Sequence, residues 1–422
     1  MGIAYNPKIV TNGLVLCVDS ANLKSYDKYE NLVTYSQKFD EAIWNKNNCS
    51  VVQNDIVAPD GTLTAARITA TVNDDVIVDN TYTATYNETP LTYSIFAKAG
   101  TYRYIAIQSY VNVWSKTLVF DLQTGNPIEP FYPNDGRTWK IVSYPNGWYR
   151  CIVTYPANYY YYYRFRFALT NYVGPSDGGI DTTNSPSVGQ YIYVWGAQLE
   201  KGTTATDYYA TTSSLKNRST TILDLSGNGN NGTLINGPLY NNDNGGSLVF
   251  DGTVGKVVTV TYNSSNFVNT NFTWIAWVKG KGSPTVNMPQ IGYGSGGWPR
   301  LGFFENVGTW YFQQYNNSGP PTISTVSCGT GSETVWKQIC CVGNFTQSKI
   351  IGYNNGSYVT EAAYVSSAGN DSVFGIGRAG TTFGGWNEAY LGNIAQVSIY
   401  NRALSIAEIQ QNFNATRGRY GI

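Results

Sequence analysis

Apolar and polar residues alternate in short stretches along this chain, with turn-forming residues between them. Strands are predicted at residues 91–97, 104–111, 117–120, 148–154 and 191–199, and again at 246–250, 256–262, 272–278, 338–345, 349–353 and 394–400. Turn signals such as Asn146-Gly147 recur about every ten residues. This rhythm is typical of β-sandwiches and predicts an all-β fold.

The opening segment, residues 8–19, has a different pattern. Residues 14–18 are apolar at every position, so both faces of a strand here would be buried. We therefore expect this strand in the middle of a sheet.

One short helix is predicted near the C-terminus. Ser405 and Glu408 have the spacing of a capping box, in which each side chain accepts a hydrogen bond from a free backbone amide of the first turn. Three apolar residues then fall on one helix face: Ile406, Ile409 and Phe413. Gly418 is the expected stop, and we expect the helix to pack on the edge of a sandwich.

Charge and composition exclude several functions. Lys plus Arg and Asp plus Glu are both 27, without a run of like charge, so no nucleic-acid partner is expected. The chain has no histidine, which excludes Ser-His-Asp and Cys-His nucleophiles and histidine metal sites. No signal-peptide pattern begins the chain and no apolar run approaches a membrane span, so we expect no membrane segment.

The cysteines have no metal-binding spacing, because none forms a C-x-x-C pair. We expect them to be small buried apolar residues of a protein assembled in a reducing cytoplasm, with a disulfide framework as the alternative. They are Cys17, Cys49, Cys151, Cys328, Cys340 and Cys341.

The C-terminal half resembles the concanavalin A-like (laminin G-like) jelly rolls of phage structural proteins, especially those of cyanophages. The resemblance lies in four ordered blocks: 224–234, 246–252, 272–278 and 391–405. Residues 8–26 are similar to the opening strand of that family, which is normally followed shortly by the first of these blocks.

Nearly two hundred residues separate that opening strand from the first block. The resemblance therefore implies a domain insertion, with residues 1–30 plus 213–422 as a discontinuous jelly roll and residues 31–212 as the insert. Residues 211–222 are small and polar and are interpreted as a linker. The predicted fold is two β-sandwiches, one inserted into the other.

The insert resembles the carbohydrate-binding-module-like β-sandwich of phage virion proteins. The resemblance is carried by residues 31–44, 94–98, 147–150, 193–200 and 206–208. This is a likeness of fold and does not establish sugar binding.

A candidate calcium site lies in residues 224–230. Asp224, Asn228 and Asn230 carry the oxygen ligands that calcium prefers, and the resemblance implies a structural calcium in some members. The alternative is a loop in which these side chains cap turns through backbone amides. The family often has Asn-Asp near position 254, where this chain has Val254-Gly255, which disfavours the metal.

Aromatic residues are the candidates for glycan or partner contact. Four are interpreted as lying in glycine-rich loops, where they either stack on sugars or cover the ends of the sandwich: Trp298, Trp310, Tyr315 and Trp386. Three more lie in a tyrosine run that alternates between core and an exposed or interface face: Tyr159, Tyr161 and Tyr163.

No catalytic residue or cofactor is predicted. Enzymes with this jelly roll carry a Glu-x-Asp-x-x-Glu strand, which is absent here. The isolated acids are interpreted as lying in turns: Glu305, Glu333, Glu361 and Glu388. The expected function is a structural protein on the virion surface of a tailed phage, as a decoration, fibre or spike component. Its expected partners are other virion proteins, further copies of itself and host surface glycans. A glycan-binding adhesin of the tail is the alternative, and a polysaccharide depolymerase is disfavoured.

Overall fold

The chain forms two compact units. Unit 1 comprises Met1–Lys28 and Ser219–Ile422, and unit 2 comprises Tyr29–Arg218. The computed structural model describes residues 8–84, 90–111, 114–128, 136–157, 163–170, 185–253, 255–281, 290–295, 298–316, 322–366, 371–378 and 390–422.

Nearly all regular structure is β-strand. In chain order the strands begin with β1 (Leu14–Asp19), β2 (Trp44–Asn47), β3 (Cys49–Ile56), β4 (Ala65–Ala70), β5 (Val76–Ala84), β6 (Leu91–Ala99), β7 (Tyr104–Val111), β8 (Trp114–Asp121), β9 (Asn126–Ile128), β10 (Thr138–Tyr144), β11 (Trp148–Tyr155), β12 (Tyr163–Leu169) and β13 (Tyr191–Lys201). They continue with β14 (Thr221–Ile222), β15 (Gly232–Ile235), β16 (Leu239–Asn241), β17 (Ser247–Asp251), β18 (Val257–Thr261), β19 (Phe272–Lys281), β20 (Ile291–Ser295), β21 (Trp298–Asn306), β22 (Thr309–Asn316), β23 (Thr322–Thr330), β24 (Lys337–Asn344), β25 (Lys349–Asn354), β26 (Ser357–Ala363), β27 (Val373–Ile376) and β28 (Leu391–Tyr400).

Each unit contains two sheets. In unit 1, sheet 1A has the order β16-β17-β28-β19-β24-β25-β26, with β1 also paired to β28, and sheet 1B has the order β14-β15-β18-β27-β20-β21-β22-β23. In unit 2, sheet 2A has the order β10-β11-β6-β13-β4-β3, and sheet 2B has the order β2-β5-β12-β7-β8-β9. The sheets of each unit share a buried apolar core, so the predicted all-β sandwich fold is confirmed.

Strand β1 is completed by the other end of the chain, as expected. It pairs antiparallel with β28, with Leu16 opposite Ile399 and Val18 opposite Val397. The expectation of a place in the middle of the sheet is wrong, because among the described residues β1 pairs with β28 alone. Its two faces are nevertheless buried, since Leu16 and Val18 face the sandwich core and Cys17 faces a second apolar cluster.

That second cluster lies beneath the one α-helix of the described residues, α1 (Ile406–Thr416). The predicted capping box is present, with the Ser405 and Glu408 side chains each accepting from the other's backbone amide. Ile409 packs on the outer face of sheet 1A, so the helix covers a face of the sandwich rather than its edge. Ile406, predicted on the buried face, is exposed. Within the described part of the chain, no helix has the length and apolarity that a membrane crossing requires.

All six cysteines lie among the described residues, and all are free. Five are buried and Cys49 is partly buried. Burial raises the pKa of the Cys17 thiol and of the Cys49 thiol to about 11, so both stay protonated near neutral pH. The expectation of small buried apolar residues is confirmed for these five.

The two chain ends of unit 2 lie side by side. Asn31 and Lys216 exchange backbone hydrogen bonds of 2.7 and 3.0 Å. In unit 1, the backbone amide of Ser219 donates to the Asp27 carbonyl over 3.1 Å, which joins the two segments of that unit. Residues 211–222 are therefore more ordered than a polar linker, and they include the short strand β14.

Candidate binding surface

A row of small side chains crosses the whole of sheet 1B. One residue of each strand contributes to it through direct cross-strand pairing. The row, called here the small-residue row, consists of Thr221, Thr233, Thr259, Gly375, Gly292, Gly302, Gln313 and Thr325.

This row lies on the outer face of the sheet. Neighbouring positions along a strand point to opposite faces, and the adjacent row belongs entirely to the core. That core row consists of Leu234, Val258, Ile376, Ile291, Phe303, Phe312 and Val326.

Aromatic rings stand on both sides of the row. On one side Phe304 and Tyr311 are cross-strand partners whose rings stack with centroids 5.3 Å apart. On the other side is Tyr315, two residues beyond Gln313 on the same face of β22. The three consecutive glycine positions have no side chain, and the aromatic rings flank the row where it continues at Gln313. These glycines together with Gln313 are called here the trough. Gly292 sits at φ +150°, where an added Cβ would lie 2.2 Å from the Leu301 carbonyl oxygen.

Gln313 is the polar group of the trough, at the end that the aromatic rings flank. Its side-chain amide donates to Thr325 Oγ1 over 3.2 Å. Its carbonyl oxygen Oε1 is buried and has no hydrogen-bond partner, and the residue is 5% exposed. A buried acceptor without a partner in the protein is unfavourable unless water or a ligand supplies a donor. The row is exposed at Thr233 and Thr325 and buried at its centre.

The side chains of the candidate calcium loop make hydrogen bonds within the protein. The Asp224 carboxylate accepts from the backbone amides of Cys17, Ser226 and Asn230 over 2.9, 2.9 and 3.1 Å, and from Ser226 Oγ over 2.7 Å. The side-chain amide of Asn228 donates to the Leu14 carbonyl. These are the contacts of the alternative interpretation, in which the loop side chains cap backbone groups.

Asn230 completes this loop by donating from its side chain to the Val15 carbonyl over 2.7 Å. Asn228 and Asn230 thus direct donors, and not oxygen ligands, towards strand β1. Among the described residues no group of three or more acidic, cysteine or histidine side chains could hold a metal ion. The three side chains therefore tie the Gly/Asn loop to the opening strand.

Two predicted contact residues lie in strand β22 and not in a loop. Trp310 is fully buried in the core of unit 1, with its ring 5.7 Å from that of Tyr390. A buried ring presents no face to a sugar, so the expectation of an exposed stacking residue is wrong for Trp310. Tyr315 is on the outer face beside the trough, but it is only 2% exposed.

The other predicted aromatic contacts cannot be placed at the side-chain level. Trp298 and Tyr163 begin the strands β21 and β12, and their side chains lie outside the described set. Trp386, Tyr159 and Tyr161 lie outside the described residues altogether.

Two of the isolated acids, Glu305 and Glu361, lie in strands and not in turns, whereas Glu333 lies in a bend as predicted and Glu388 lies outside the described residues. Glu305 lies in β21 of sheet 1B, is 4% exposed, and accepts a hydrogen bond from the Gly308 amide. Glu361 lies in β26 of sheet 1A and pairs with Lys349 over 2.6 Å. The two carboxylates belong to different sheets, which is not the paired arrangement that glycoside hydrolysis uses.

Gln313 was missed in the sequence, although its signal is present. Residues 310–315 alternate between core side chains (Trp310, Phe312) and outer ones. That alternation places a glutamine between two tyrosines on one face, a combination of aromatic and polar groups that is common in small-molecule sites.

Comparisons with known proteins agree with this architecture in part. A family model described as the concanavalin A-like lectin/glucanases superfamily matches residues 251–410. No curated protein sequence matches the chain.

Similar solved structures include the binding domain of Paraclostridial Mosquitocidal Protein 1 (19% identity, 46% of this chain and 49% of that chain, TM-score 0.37). A second is the Botulinum Neurotoxin Type G receptor binding domain (13% identity, 46% of this chain and 48% of that chain, TM-score 0.34). A third is domain 4 of the arabinanase AbnA from Geobacillus stearothermophilus in complex with arabinotriose (15% identity, 45% of this chain and 91% of that chain, TM-score 0.32). The chain covers about half the length of the first two. The stretch that matches the family model, residues 251–410, lies within unit 1 and is similar to concanavalin A-like jelly rolls.

Proposed function

We propose that this protein is a structural surface protein of a tailed-phage virion whose unit 1 binds glycans without cleaving them. Its other contacts would be with virion proteins and with further copies of itself, after assembly in the host cytoplasm. The virion assignment rests on the sequence resemblance of residues 8–26 and 224–405. Glycan binding rests on the trough of sheet 1B.

The observation that carries glycan binding is Gln313 between aromatic walls. Sugar rings present apolar C–H faces to aromatic side chains and hydroxyl groups to polar ones. A hydroxyl donates to Gln313 Oε1, the acceptor that otherwise lacks a partner. The threonines of the row supply further hydroxyl partners, and the row carries no formal charge, so a neutral glycan fits best.

The absence of hydrolysis is part of the proposal. It is supported by the separation of Glu305 and Glu361 into different sheets and by the buried, amide-bound state of Glu305. A depolymerase would need two carboxyl groups facing one glycosidic bond.

A glycan array with the full chain tests the proposal. We expect binding to neutral glycans by the wild type and a loss of signal with Gln313→Met. A reducing-sugar assay on the bound glycans should show no release. No array signal at all, or signal unchanged by the substitution, would contradict glycan binding at this surface; release of reducing ends would contradict the non-catalytic role.

The virion location has its own test. Antibody against the purified chain, imaged on intact phage particles, should label the particle surface, at the head or at the tail. Unlabelled particles that also lack the protein by mass spectrometry would refute the virion assignment without affecting glycan binding.

A further inference from the structure

The outer face of sheet 2A carries two cations on either side of a tyrosine. Cross-strand pairing aligns four side chains of the neighbouring strands β6, β13, β4 and β3. This set, called here the cationic row, consists of Lys98, Tyr193, Arg67 and Val52. The adjacent positions along these strands belong to the core of unit 2, so the cationic row points away from that core. These core neighbours are Ala97, Ile192, Val194, Ala66 and Ile68.

Hydroxyl side chains run beside the cationic row on the same face. Tyr191 is paired with Thr69, and Thr69 is paired with Ser50. Each of the three lies two residues from a member of the cationic row on its own strand, and residues two apart on a strand share a face. The surface therefore offers hydroxyl groups next to two cations.

Both rows are accessible to solvent. Val52 is 40% exposed, and the Arg67 side chain is 35% exposed. Ser50 is exposed as well, whereas Lys98 and Tyr193 are half-buried. The two rows thus form part of the surface of unit 2 and are not a buried cluster.

Positive charge prevails in the cationic row. Arg67 Nε lies 3.5 Å from an Asp55 carboxylate oxygen, and the Arg67 guanidinium carbon lies 5.4 Å from the centroid of the Tyr191 ring. Lys98 makes no ion pair with a residue that the structure describes. Asp55 therefore balances one of the two cations, and these three groups together keep one positive charge.

Tyr193 adds no negative charge to this surface. Burial, and then a hydrogen bond with the Tyr191 side chain, raise the pKa of Tyr193 above its ordinary value, so its hydroxyl stays protonated at neutral pH. Lys98 and Arg67 are its cross-strand partners on either side. Because neighbouring strands are about 4.8 Å apart, the backbones of the two cationic residues are separated by roughly 10 Å.

We propose that this surface of unit 2 binds an acidic saccharide through its carboxylate groups. Lys98 and Arg67 form charge-assisted hydrogen bonds with carboxylates of an extended oligouronate, and a sugar ring lies against Tyr193 between them. Ser50 and Thr69 exchange hydrogen bonds with the sugar hydroxyls.

The neighbouring groups favour a saccharide over other anions. An acidic peptide such as poly-Asp has neither a ring face for the tyrosine nor hydroxyl groups for Ser50 and Thr69. A nucleic acid is disfavoured because the chain has no run of basic residues. The site lies in unit 2 and does not depend on the trough of unit 1.

Isothermal titration of the full chain with tetragalacturonic acid tests the inference, with maltotetraose as the neutral comparison. We expect only the acidic sugar to bind at this surface and to slow hydrogen–deuterium exchange in β3, β4 and β13. Lys98→Gln should weaken its binding about tenfold, because a charge-assisted hydrogen bond is lost. Lys98→Arg keeps the charge and should retain most of the affinity.

Lys140→Gln is the matched control. Lys140 lies on the same face of sheet 2A but away from the cationic row, since it pairs with Ile152, and Ile152 pairs with Ser94, four residues before Lys98. The substitution makes the same change of charge and should leave the affinity unchanged. An equal loss with Lys140→Gln and Lys98→Gln would attribute binding to net charge alone and overturn the site.

The remaining outcomes separate this site from the trough. Gln313→Met should bind tetragalacturonic acid as the wild type does; a loss with Gln313→Met and not with Lys98→Gln would assign the acidic sugar to unit 1 and overturn the inference. Binding of poly-Asp as tightly as the sugar would indicate an acidic protein partner and also overturn it. If Lys98→Gln does not fold, the wild type decides: unchanged exchange in β3, β4 and β13 with tetragalacturonic acid refutes the site.

Discussion

Gln313 donates its side-chain amide to Thr325 Oγ1 over 3.2 Å and leaves its own carbonyl oxygen buried without a partner. This pairing fixes the orientation of the Gln313 amide in the trough. The same arrangement recurs in unit 2, where Gln108 donates to Thr117.

Gln313→Met should separate binding from stability. It removes the unsatisfied acceptor and also the hydrogen bond to Thr325, two effects that offset each other, so we expect the free energy of unfolding to change by less than about 1 kcal/mol while glycan binding falls. Chemical denaturation and the glycan array measure the two effects.

Gln314→Met is the matched control for that substitution. Gln314 is buried and its side-chain oxygen accepts from the Val365 amide over 3.0 Å. We expect this variant to lose about 1 kcal/mol of stability and to bind glycans as the wild type does. If Gln313→Met bound glycans normally and Gln314→Met did not, Gln313 would not be part of the binding site.

The Asp224 loop should be independent of calcium. Its carboxylate already accepts four hydrogen bonds, so EDTA should leave the Tm unchanged. Asp224→Asn should lower stability by about 2 kcal/mol, because the neutral amide accepts these bonds less well. A Tm that falls with EDTA and recovers with calcium would restore the metal interpretation.

Arg419 should be essential to the stability of unit 1. Its guanidinium binds both carboxylate oxygens of Asp19, over 2.8 and 3.0 Å, and Asp19 is 4% exposed. Arg419→Met leaves that carboxylate buried without its cation, and we expect a loss of about 3 kcal/mol. The exposed Arg417, changed to Met, is the control and should lose far less in the same denaturation experiment.

The helix cap should add a pH dependence to stability. Hydrogen bonds from the Arg402 side chain and then from the Ser405 backbone lower the pKa of Glu408 to about 2. Because the folded pKa lies below the ordinary value of 4.5, this contribution is complete above about pH 4.5 and is lost as the pH falls towards 2.

Glu408→Gln should therefore lower the free energy of unfolding by about 1 kcal/mol at pH 7, with the deficit shrinking below pH 4.5. Urea denaturation of both proteins across this range measures the difference. A deficit that does not change with pH would contradict the role of the ionised carboxylate.

Features of the fold that depend on local sequence patterns could be predicted from the sequence. The Ser405–Glu408 cap and the pairing of residues 14–19 with the last strand follow from spacing and resemblance, and both are present. A strand that is apolar on both faces can lie in the middle of a sheet or at its edge beneath a helix, and the sequence pattern is the same in both cases. The prediction therefore put β1 in the middle of the sheet, whereas it lies at an edge. Ile409 reaches sheet 1A only through tertiary packing.

The candidate site was less predictable. Aromatic residues near glycines suggested loops, but Trp310 and Tyr315 lie in a strand and face opposite sides of it. The trough depends on the register of eight strands, which brings Gly375, Gly292 and Gly302 together from distant parts of the sequence. No local pattern fixes that register.

A crystal structure of the full chain with its best neutral array glycan tests glycan binding most directly. We expect density for the sugar along the small-residue row, with a hydroxyl in hydrogen-bond contact with Gln313 Oε1 and a ring between Tyr311 and Tyr315. A sugar bound elsewhere on unit 1, with the row unchanged, would contradict the assignment of this surface.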